Sequence, residues 1–492
     1  MSIMRKVRVY GKTALPFFFL AFISGGCPAG EGVDSSPEIC TTYASPYEMN
    51  VNDSTTIFCI AIDADQSPGG CSGVGSEDVQ RLTYQWSCTG GSMASDTTVS
   101  PEVKWYAPAD TGTYYIKVSV SDESHIVEDS TYVQVYQGVN FLNGDVKGTL
   151  PEGLYIVNGA IWVQPSDSLA IAPGTVLRFD NYNNSTNTMA GNLCLMDIYG
   201  KLTAEGNETD SIYFISNVWQ EKEVMIRFYN AVEGSALRYC NFLYENLYAE
   251  INNSDVTVEN CYFGEGGCGM QLRNCNSIVE NCRFSNLDDY AISIYEYYHY
   301  GPAQDYIQIL NCRIYNNSGG INCSLDARPT IKNCIIAGSE DVGLKFYESG
   351  AAAILNNTIY QNGFNTNAIS IENSEPEFTN NLIYHYGQGN SAVYIKDSPS
   401  VSEFNYNCVY CNWENVFSGE YPDNWGILCG VNANGDSCDV GNNIYMNPLL
   451  QEPPFDQGFN LTASSPCIDA GNPAWTDADG TVSDMGAVYF PH

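Results

Sequence analysis

Between Cys282 and Cys312 the sequence gathers Asp288-Asp289-Tyr290 and then Tyr295-Glu296-Tyr297-Tyr298-His299-Tyr300. Aromatic rings offer flat faces to the C–H surfaces of sugars, and carboxylates accept hydrogen bonds from hydroxyls. The glycan-binding candidates are therefore Asp288, Asp289, Tyr295, Tyr297, Tyr298, His299 and Tyr300. Arg283 and Arg313 fall in one outward column of neighbouring repeats. There they could grip a uronate or sulfate, or neutralise Glu259 and Glu280. The plain alternative for the whole segment is an aromatic loop packed on its own scaffold. No residue stands out as catalytic. Asp288 and Asp289 are adjacent acids, as a hydrolase would need, but His299 is a lone surface histidine.

A second acidic group, Asp477, Asp479 and Asp484 around Gly480, begins with a D-x-D-G string similar to calcium loops. Its later positions depart from EF-hand spacing, and a turn held by Asx hydrogen bonds is the alternative. Calcium at these aspartates is the one cofactor suggested. With 57 acidic against 20 basic residues and a net charge of −37, the chain would repel phosphate backbones, so no nucleic-acid partner is expected.

These groups need a scaffold, and the scaffold is written as a repeat. Asn-Cys-x-Phe or a variant recurs with its second position at Cys240, Cys261, Cys282, Cys312, Cys334, Asn357, Asn381 and Cys408. The steps are 21, 21, 30, 22, 23, 24 and 27 residues, and the longest holds the aromatic loop. Three places before the marker sit Leu237, Val258, Val279, Ile309, Ile331, Ile354 and Phe378. Two places after it sit Phe242, Phe263, Phe284, Ile314, Ile336, Ile359, Ile383 and Tyr410. A further segment repeats the inward pairs Ala249/Ile251, Met270/Leu272, Ile292/Ile294, Ile321/Cys323, Leu344/Phe346, Ile369/Ile371 and Val393/Ile395. Between them, Glu250, Gln271, Ser293, Asn322, Lys345, Ser370 and Tyr394 alternate outward. Period two with β-branched and aromatic residues means strands. No single turn of about 22 residues buries enough apolar surface to offset roughly 1 to 2 kcal/mol per residue of backbone entropy. Stacking the turns completes a parallel ladder and makes the array the folding unit. The cysteines, one per turn and without CxxC grouping, read as small buried hydrophobes.

Ile161-Trp162-Val163, the run Leu169-Ala170-Ile171-Ala172-Pro173-Gly174-Thr175-Val176-Leu177-Arg178-Phe179 and the segment 198–206 resemble the opening coils of bacterial right-handed β-helix proteins of the pectate-lyase-like kind. The resemblance implies an all-β chain whose residues 139–450 form a right-handed, single-stranded parallel β-helix, with inward Asn ladders at the marker. Residues 451–492 resemble the terminal segment of such proteins, implying a cap on the last coil. Tyr84-Gln85-Trp86-Ser87, Trp105-Tyr106-Ala107-Pro108 and the strand-like run 112–122 resemble polycystic-kidney-disease-type, immunoglobulin-like modules. That implies a small sandwich over 38–138 with Trp86 in its core. Cys40, Cys59, Cys71 and Cys88 lie in this module, and four cysteines allow three connectivities.

Arg5, Lys6, Arg8 and Lys12 precede an apolar run, residues 14–23, and then Ser24-Gly25-Gly26-Cys27. This reads as a secretory signal, and its end resembles a lipoprotein lipobox with Ser24 where Leu is usual. The resemblance implies acylation of Cys27, a tether over 28–37, and placement at the bacterial outer membrane or cell surface through lipid alone. The expected function is binding of carbohydrate or a cell-surface polymer, or adhesion. The alternatives are a polysaccharide lyase or glycoside hydrolase on the outer face of the helix, and a structural envelope protein. A lyase would need a Lys or Arg beside carboxylates on one outer face. Polygalacturonase signature strings and the pectate-lyase Trp-x-Asp-His string are absent. Nothing in the sequence sets the oligomeric state.

Overall fold

The computed structural model describes residues 36–62, 82–180, 194–217, 224–244, 247–296, 307–363, 365–386, 390–397, 403–411, 416–451 and 459–492. Cys27, Cys71, Tyr297, Tyr298, His299 and Tyr300 lie outside these described residues.

The first strands form two sheets over one core. Glu38–Ser45, Ser54–Ile62, Glu102–Tyr106 and Ser92–Met93 make a four-stranded sheet. Glu48–Asn50, Ile126–Tyr136, Gly112–Ser121, Thr83–Cys88 and Thr97–Thr98 make a five-stranded one. Alternation sends Ile57, Cys59 and Trp105 from the first sheet, and Trp86, Ile116, Val118 and Val120 from the second, into a common cluster. Each buried indole keeps a partner: Trp86 Nε1 donates to Thr98 Oγ1 at 3.0 Å and Trp105 Nε1 to the Gly90 carbonyl at 3.1 Å.

From Asn140–Asp145 to Phe417–Gly419 the pairing is parallel, each strand bonding to one a coil later. A coil has three strands. Val256–Glu259, Tyr262–Gly266 and Met270–Arg273 are followed by Ile278–Glu280, Arg283–Leu287 and Tyr290–Tyr295, and then by Gln308–Leu310, Arg313–Tyr315 and Gly319–Ser324. First strands stack in an 11-stranded sheet, and second and third strands in a continuous 22-stranded one. The registers Val258↔Val279↔Ile309↔Ile331, Phe263↔Phe284↔Ile314 and Leu272↔Ile294↔Cys323 place the expected inward columns in file. Every member of those columns from Leu237 to Ile395 is buried. This all-β arrangement of large parallel sheets is consistent with a right-handed β-helix solenoid. Phe214, Phe242, Phe263 and Phe284 stack face to face with centroids 4.8, 4.4 and 4.8 Å apart.

The bend between first and second strands explains the marker. Asn260, Asn281, Asn311, Asn333, Asn356 and Asn380 all hold φ between 53° and 59°, a left-handed conformation that Asn tolerates better than other side-chain-bearing residues. The next residue then points inward and must satisfy the backbone of its neighbours. Cys240 N–H donates to Cys261 Sγ, Cys261 N–H to Cys282 Sγ and Cys312 N–H to Cys334 Sγ, each at 3.4 Å. The thiols donate in turn to carbonyls, as Cys261 does to Leu237 and Glu259 at 3.4 and 3.3 Å. These cysteines are buried, as expected, but they are hydrogen-bonding rungs as well as hydrophobes. Burial alone would satisfy the side chain; the bend's exposed N–H is what requires an acceptor.

The ladder continues through Asn357, Asn381, Asn407 and Asn443, with each N–H bonded to the next Oδ1 at 2.9 Å. Here the structure corrects the repeat. The rung after Asn381 is Asn407, following Tyr406 at φ 57°, so Val409 is the inward residue rather than Tyr410, and Cys408 faces outward.

The tail also differs from the expected cap. Asn380 accepts from Asn472 N–H at 2.7 Å and its amide donates to Ser483 Oγ at 2.5 Å. Ala487 N–H bonds Thr358 Oγ1 at 3.0 Å. Residues 459–492 therefore run along the flank of the later coils, over the outward side chains Ile335, Leu382 and Cys408. The interior beyond the last coil is instead filled by Trp425, whose ring lies 5.1 Å from Phe404 and 5.4 Å from Phe417. At the other end, Arg178 of an early coil pairs with Glu48 of the N-terminal sheets at 3.1 Å, and Tyr136 donates to the same carboxylate at 2.7 Å.

Candidate functional site

The residues favoured by the sequence fall in three separate places. Asp288 and Asp289 are exposed, and Asp289 Oδ1 accepts the Tyr290 N–H at 2.7 Å, so one of the pair serves the turn. Tyr290 donates to Asp341 at 3.2 Å. Tyr295 lies on another outward face, discussed below. Arg283 and Arg313 are neighbours in register, as expected from the repeat. Neither reaches Glu259 or Glu280. Glu259 pairs with Arg238 at 2.6 Å and Glu280 accepts from Asn311 at 3.1 Å, both on the first-strand sheet, around the bend from Arg283. Arg283 instead lies over the rings of Tyr262 and Tyr315, at 5.5 and 4.7 Å from their centroids.

The three aspartates near the C-terminus are employed as backbone acceptors. Asp477 Oδ2 takes the Asp484 N–H at 2.8 Å. Asp484 takes the N–H groups of Asp469 and Phe490 at 2.7 and 2.6 Å, and Asp479 takes that of Thr481 at 3.1 Å. Burial pushes the Asp477 carboxyl up to about 6 and raises Asp484, whereas the bonds from Thr481 lower Asp479. Among the described residues no group of three or more His, Cys, Asp or Glu is placed to hold a metal ion. Only the Asp479–Thr481 contact has the spacing of an Asx turn; Asp477 and Asp484 hold backbone N–H groups from more distant positions.

The densest outward chemistry lies on the third strands of the coils between residues 194 and 296. Two outward columns run side by side. One is Asp197↔Arg227↔Glu250↔Gln271↔Ser293; the other is Tyr229↔Asn252↔Arg273↔Tyr295. Successive members are separated by the strand spacing, about 4.8 Å. Although they point away from the core, Asp197 is only 3% exposed and Glu250 only 6%, and Ser293 is buried as well. Met225, Tyr248 and Cys268 form a buried apolar cluster, with Met225 and Tyr248 in register along the edge of the first column.

Opposite charges interlock on this face. Arg227 grips Asp197 with two bonds, Nε to Oδ1 at 2.8 Å and Nη2 to Oδ2 at 2.9 Å. Arg273 reaches Glu250 at 3.5 Å and donates to Gln271 at 2.7 Å. Each guanidinium also stands over a tyrosine of its own strand or the next, Arg227 over Tyr229 at 5.9 Å and Arg273 over Tyr295 at 5.5 Å. Burial acts to lower the Arg227 guanidinium, but the bonds and charge of Asp197, with Glu250 adding, more than reverse it, so Arg227 remains firmly cationic. Burial and the Asp197 charge raise the Tyr199 phenol. The arrangement presents alternating donors, acceptors and ring faces at one position per coil, suited to a ligand with a matching repeat. Sequence reasoning had Glu250, Gln271 and Ser293 pointing outward but not as a site. Asp197, Arg227 and Arg273 it missed. The signal available was opposite charge recurring in one outward column.

Residues 249–445 match the family described as "Right handed beta helix region". Among solved structures, the chain is similar to the pectate lyase Pel9A, at 14% identity over 66% of this chain and 88% of that one, with a TM-score of 0.29. It is similar to the A-module of the mannuronan C-5 epimerase AlgE6 of Azotobacter vinelandii, at 13% identity over 56% and 88% of the two chains, TM-score 0.29. It is also similar to the family 28 exopolygalacturonase of Yersinia enterocolitica, at 9% identity over 78% and 98%, TM-score 0.22. Likenesses at these scores transfer no residue of the site. Comparison with curated proteins gives no match.

Proposed function

We propose that this chain processes carbohydrate on the outward face of its third strands, as a polysaccharide lyase or glycoside hydrolase, with Asp197, Arg227, Glu250, Arg273 and Tyr295 forming the substrate groove. The observation that carries the reading is the near-complete burial of two carboxylates, each held by a guanidinium, on a surface that faces away from the core. Withdrawing charge from water costs several kcal/mol per ion, and apolar side chains would cover a structural face as well or better. Charged groups held this way concentrate at functional sites. A lyase requires a basic side chain beside carboxylates on one outer face, and Arg273 beside Glu250 supplies that pairing here. In this arrangement Arg273, with one long contact to its carboxylate, is the cation freer to turn toward a substrate hydroxyl or carboxylate.

A second reading, carbohydrate binding without turnover, draws support from Arg227, which is held as a fixed cation and is suited to gripping rather than to proton transfer. In either case the N-terminal sheets act as an immunoglobulin-like spacer of the polycystic-kidney-disease type, and acylation of Cys27 holds the protein at the cell surface. Incubating a soluble form lacking residues 1–27 with acidic and neutral polysaccharides separates the readings. New reducing ends or unsaturated uronates are expected, and their loss in Glu250→Gln would place the chemistry on this face. Retention without cleavage favours the binder, and neither retention nor cleavage refutes both.

A further inference from the structure

Because Asn407 occupies the rung, Cys408 projects from the coil toward the tail, where Leu382 one coil earlier does the same. Cys467 comes to meet it from the opposite side. Both residues are fully buried in one cluster with Leu382, Ile444, Leu461 and Met485. The Cys408 thiol lies within hydrogen-bonding reach of the Cys467 thiol and also donates to the Met446 carbonyl at 3.4 Å. Cys467 is fixed from its own segment: its N–H donates to Ser465 Oγ at 3.2 Å and its carbonyl accepts from Met485 at 3.0 Å.

We infer that Cys408 and Cys467 are a disulfide site that fastens the tail to the flank of the last coils. Mutual contact alone does not single the pair out, since the ladder sulfurs also touch. Ladder cysteines, however, project in the same direction from in-register parallel strands. Their Cβ atoms are kept apart by the strand spacing of about 4.8 Å, outside the roughly 3.5–4.5 Å that a disulfide requires. Cys408 and Cys467 come instead from a coil strand and the tail, two segments that no strand ladder holds at a fixed spacing.

The chemistry is thiol–disulfide exchange. The thiolate of one cysteine attacks a small-molecule disulfide and expels one thiolate. The second cysteine then attacks the mixed disulfide and expels the other. The two protein thiols are oxidised by two electrons in total and the external disulfide is reduced to two thiols. The contact with Cys467 and burial both push the Cys408 thiol up, so the docked pair is a poor nucleophile and closure belongs to the stage before docking is complete.

The full chain, reduced and unfolded, is refolded with oxidised glutathione, alkylated in denaturant, digested and analysed by mass spectrometry. A peptide linking Cys408 to Cys467 is expected. Recovery of both as alkylated thiols, or of either one joined to Cys438, Cys411 or Cys429, overturns the inference. In parallel, limited proteolysis of residues 459–492 should be about tenfold slower or more in the oxidised protein than in the same protein reduced after folding. Cys467→Ser and Cys408→Ser should each remove that difference. The comparison of oxidised with reduced wild type needs no variant to fold, and equal cleavage rates there contradict the pairing.

Discussion

The earlier and later coils solve one problem in two ways. From Cys240 to Cys334 the rung is a thiol, accepting an N–H at 3.4 Å; from Asn357 to Asn443 it is an amide, accepting at 2.9 Å. Both sit after a left-handed residue, and both return a donor to a carbonyl. Neighbouring rungs touch in both halves, the thiols sulfur to sulfur and the amides through bonds such as Asn357 Nδ2 to Asn381 Oδ1 at 3.0 Å. The outward faces differ along the chain as well, with a boundary of their own. Early third strands carry the buried charges of the groove, whereas late second strands carry Ile335, Leu382 and Cys408 and are covered by the tail. What the comparison teaches is that the coil fixes where an acceptor is needed, and whatever lies outside the coil decides whether an outward position is charged or apolar.

Substitutions on the two halves test that division. Asn381→Leu should be the most damaging, by about 2 to 6 kcal/mol, because it strands the buried Asn357 N–H and the Ile354 carbonyl at roughly 1 to 3 kcal/mol each. Chemical denaturation measures this, and a cost near that of an early rung would break the contrast. Asp197→Ala should cost about 2 to 3 kcal/mol by leaving Arg227 unpaired, less than a fully buried pair because the guanidinium is partly exposed. That cost shifts the denaturation midpoint, so activity and stability should be read together. Cys261→Ala should cost only about 1 to 2 kcal/mol, since a weak N–H to sulfur bond and a small volume are lost.

The smallest expected effect is the pH response of the tail. Asp477 titrates at about 6 in the folded chain against 3.8 for a free aspartate, so the folded state binds the extra proton between those values. Its contribution is fully present below about pH 4 and is lost as pH rises through about 6. Asp484 shifts in the same direction and Asp479, exposed, in the other. Hydrogen exchange across residues 469–485 should therefore slow as pH falls from 7 to 4 after correction for the intrinsic rate, and Asp477→Asn should flatten that trend.

The inward columns were legible because side chains in stacked strands must repeat in register, and Leu237, Val258 and their successors do so without exception. Trp86 was read as a core residue through the module resemblance, and it is buried. Cys408 was misread because Asn407-Cys408 copies the earlier Asn-Cys dipeptide one place out of phase, and only the left-handed bend at Tyr406 sets the phase. Nothing in residue type distinguishes a thiol that merely fills space from one that accepts an N–H. The tail's position was unreadable because its contacts, such as Asn380 with Asn472 and Ser483, join residues about a hundred positions apart. The charged columns escaped notice because an outward Glu or Arg looks the same in sequence whether it meets solvent or lies buried, and because the two coils holding Asp197 and Arg227 precede the first marker.

The most direct test sets the two outward faces against each other. Polysaccharide cleavage and retention are measured for wild type, Arg273→Ala and Arg283→Ala, with denaturation curves confirming that all three are folded. Arg273→Ala should lose turnover or retention, and Arg283→Ala, on the second-strand face that the aromatic loop first suggested, should keep both. A folded Arg273→Ala with wild-type behaviour, beside an inactive Arg283→Ala, would move the working surface to the other face and contradict the account.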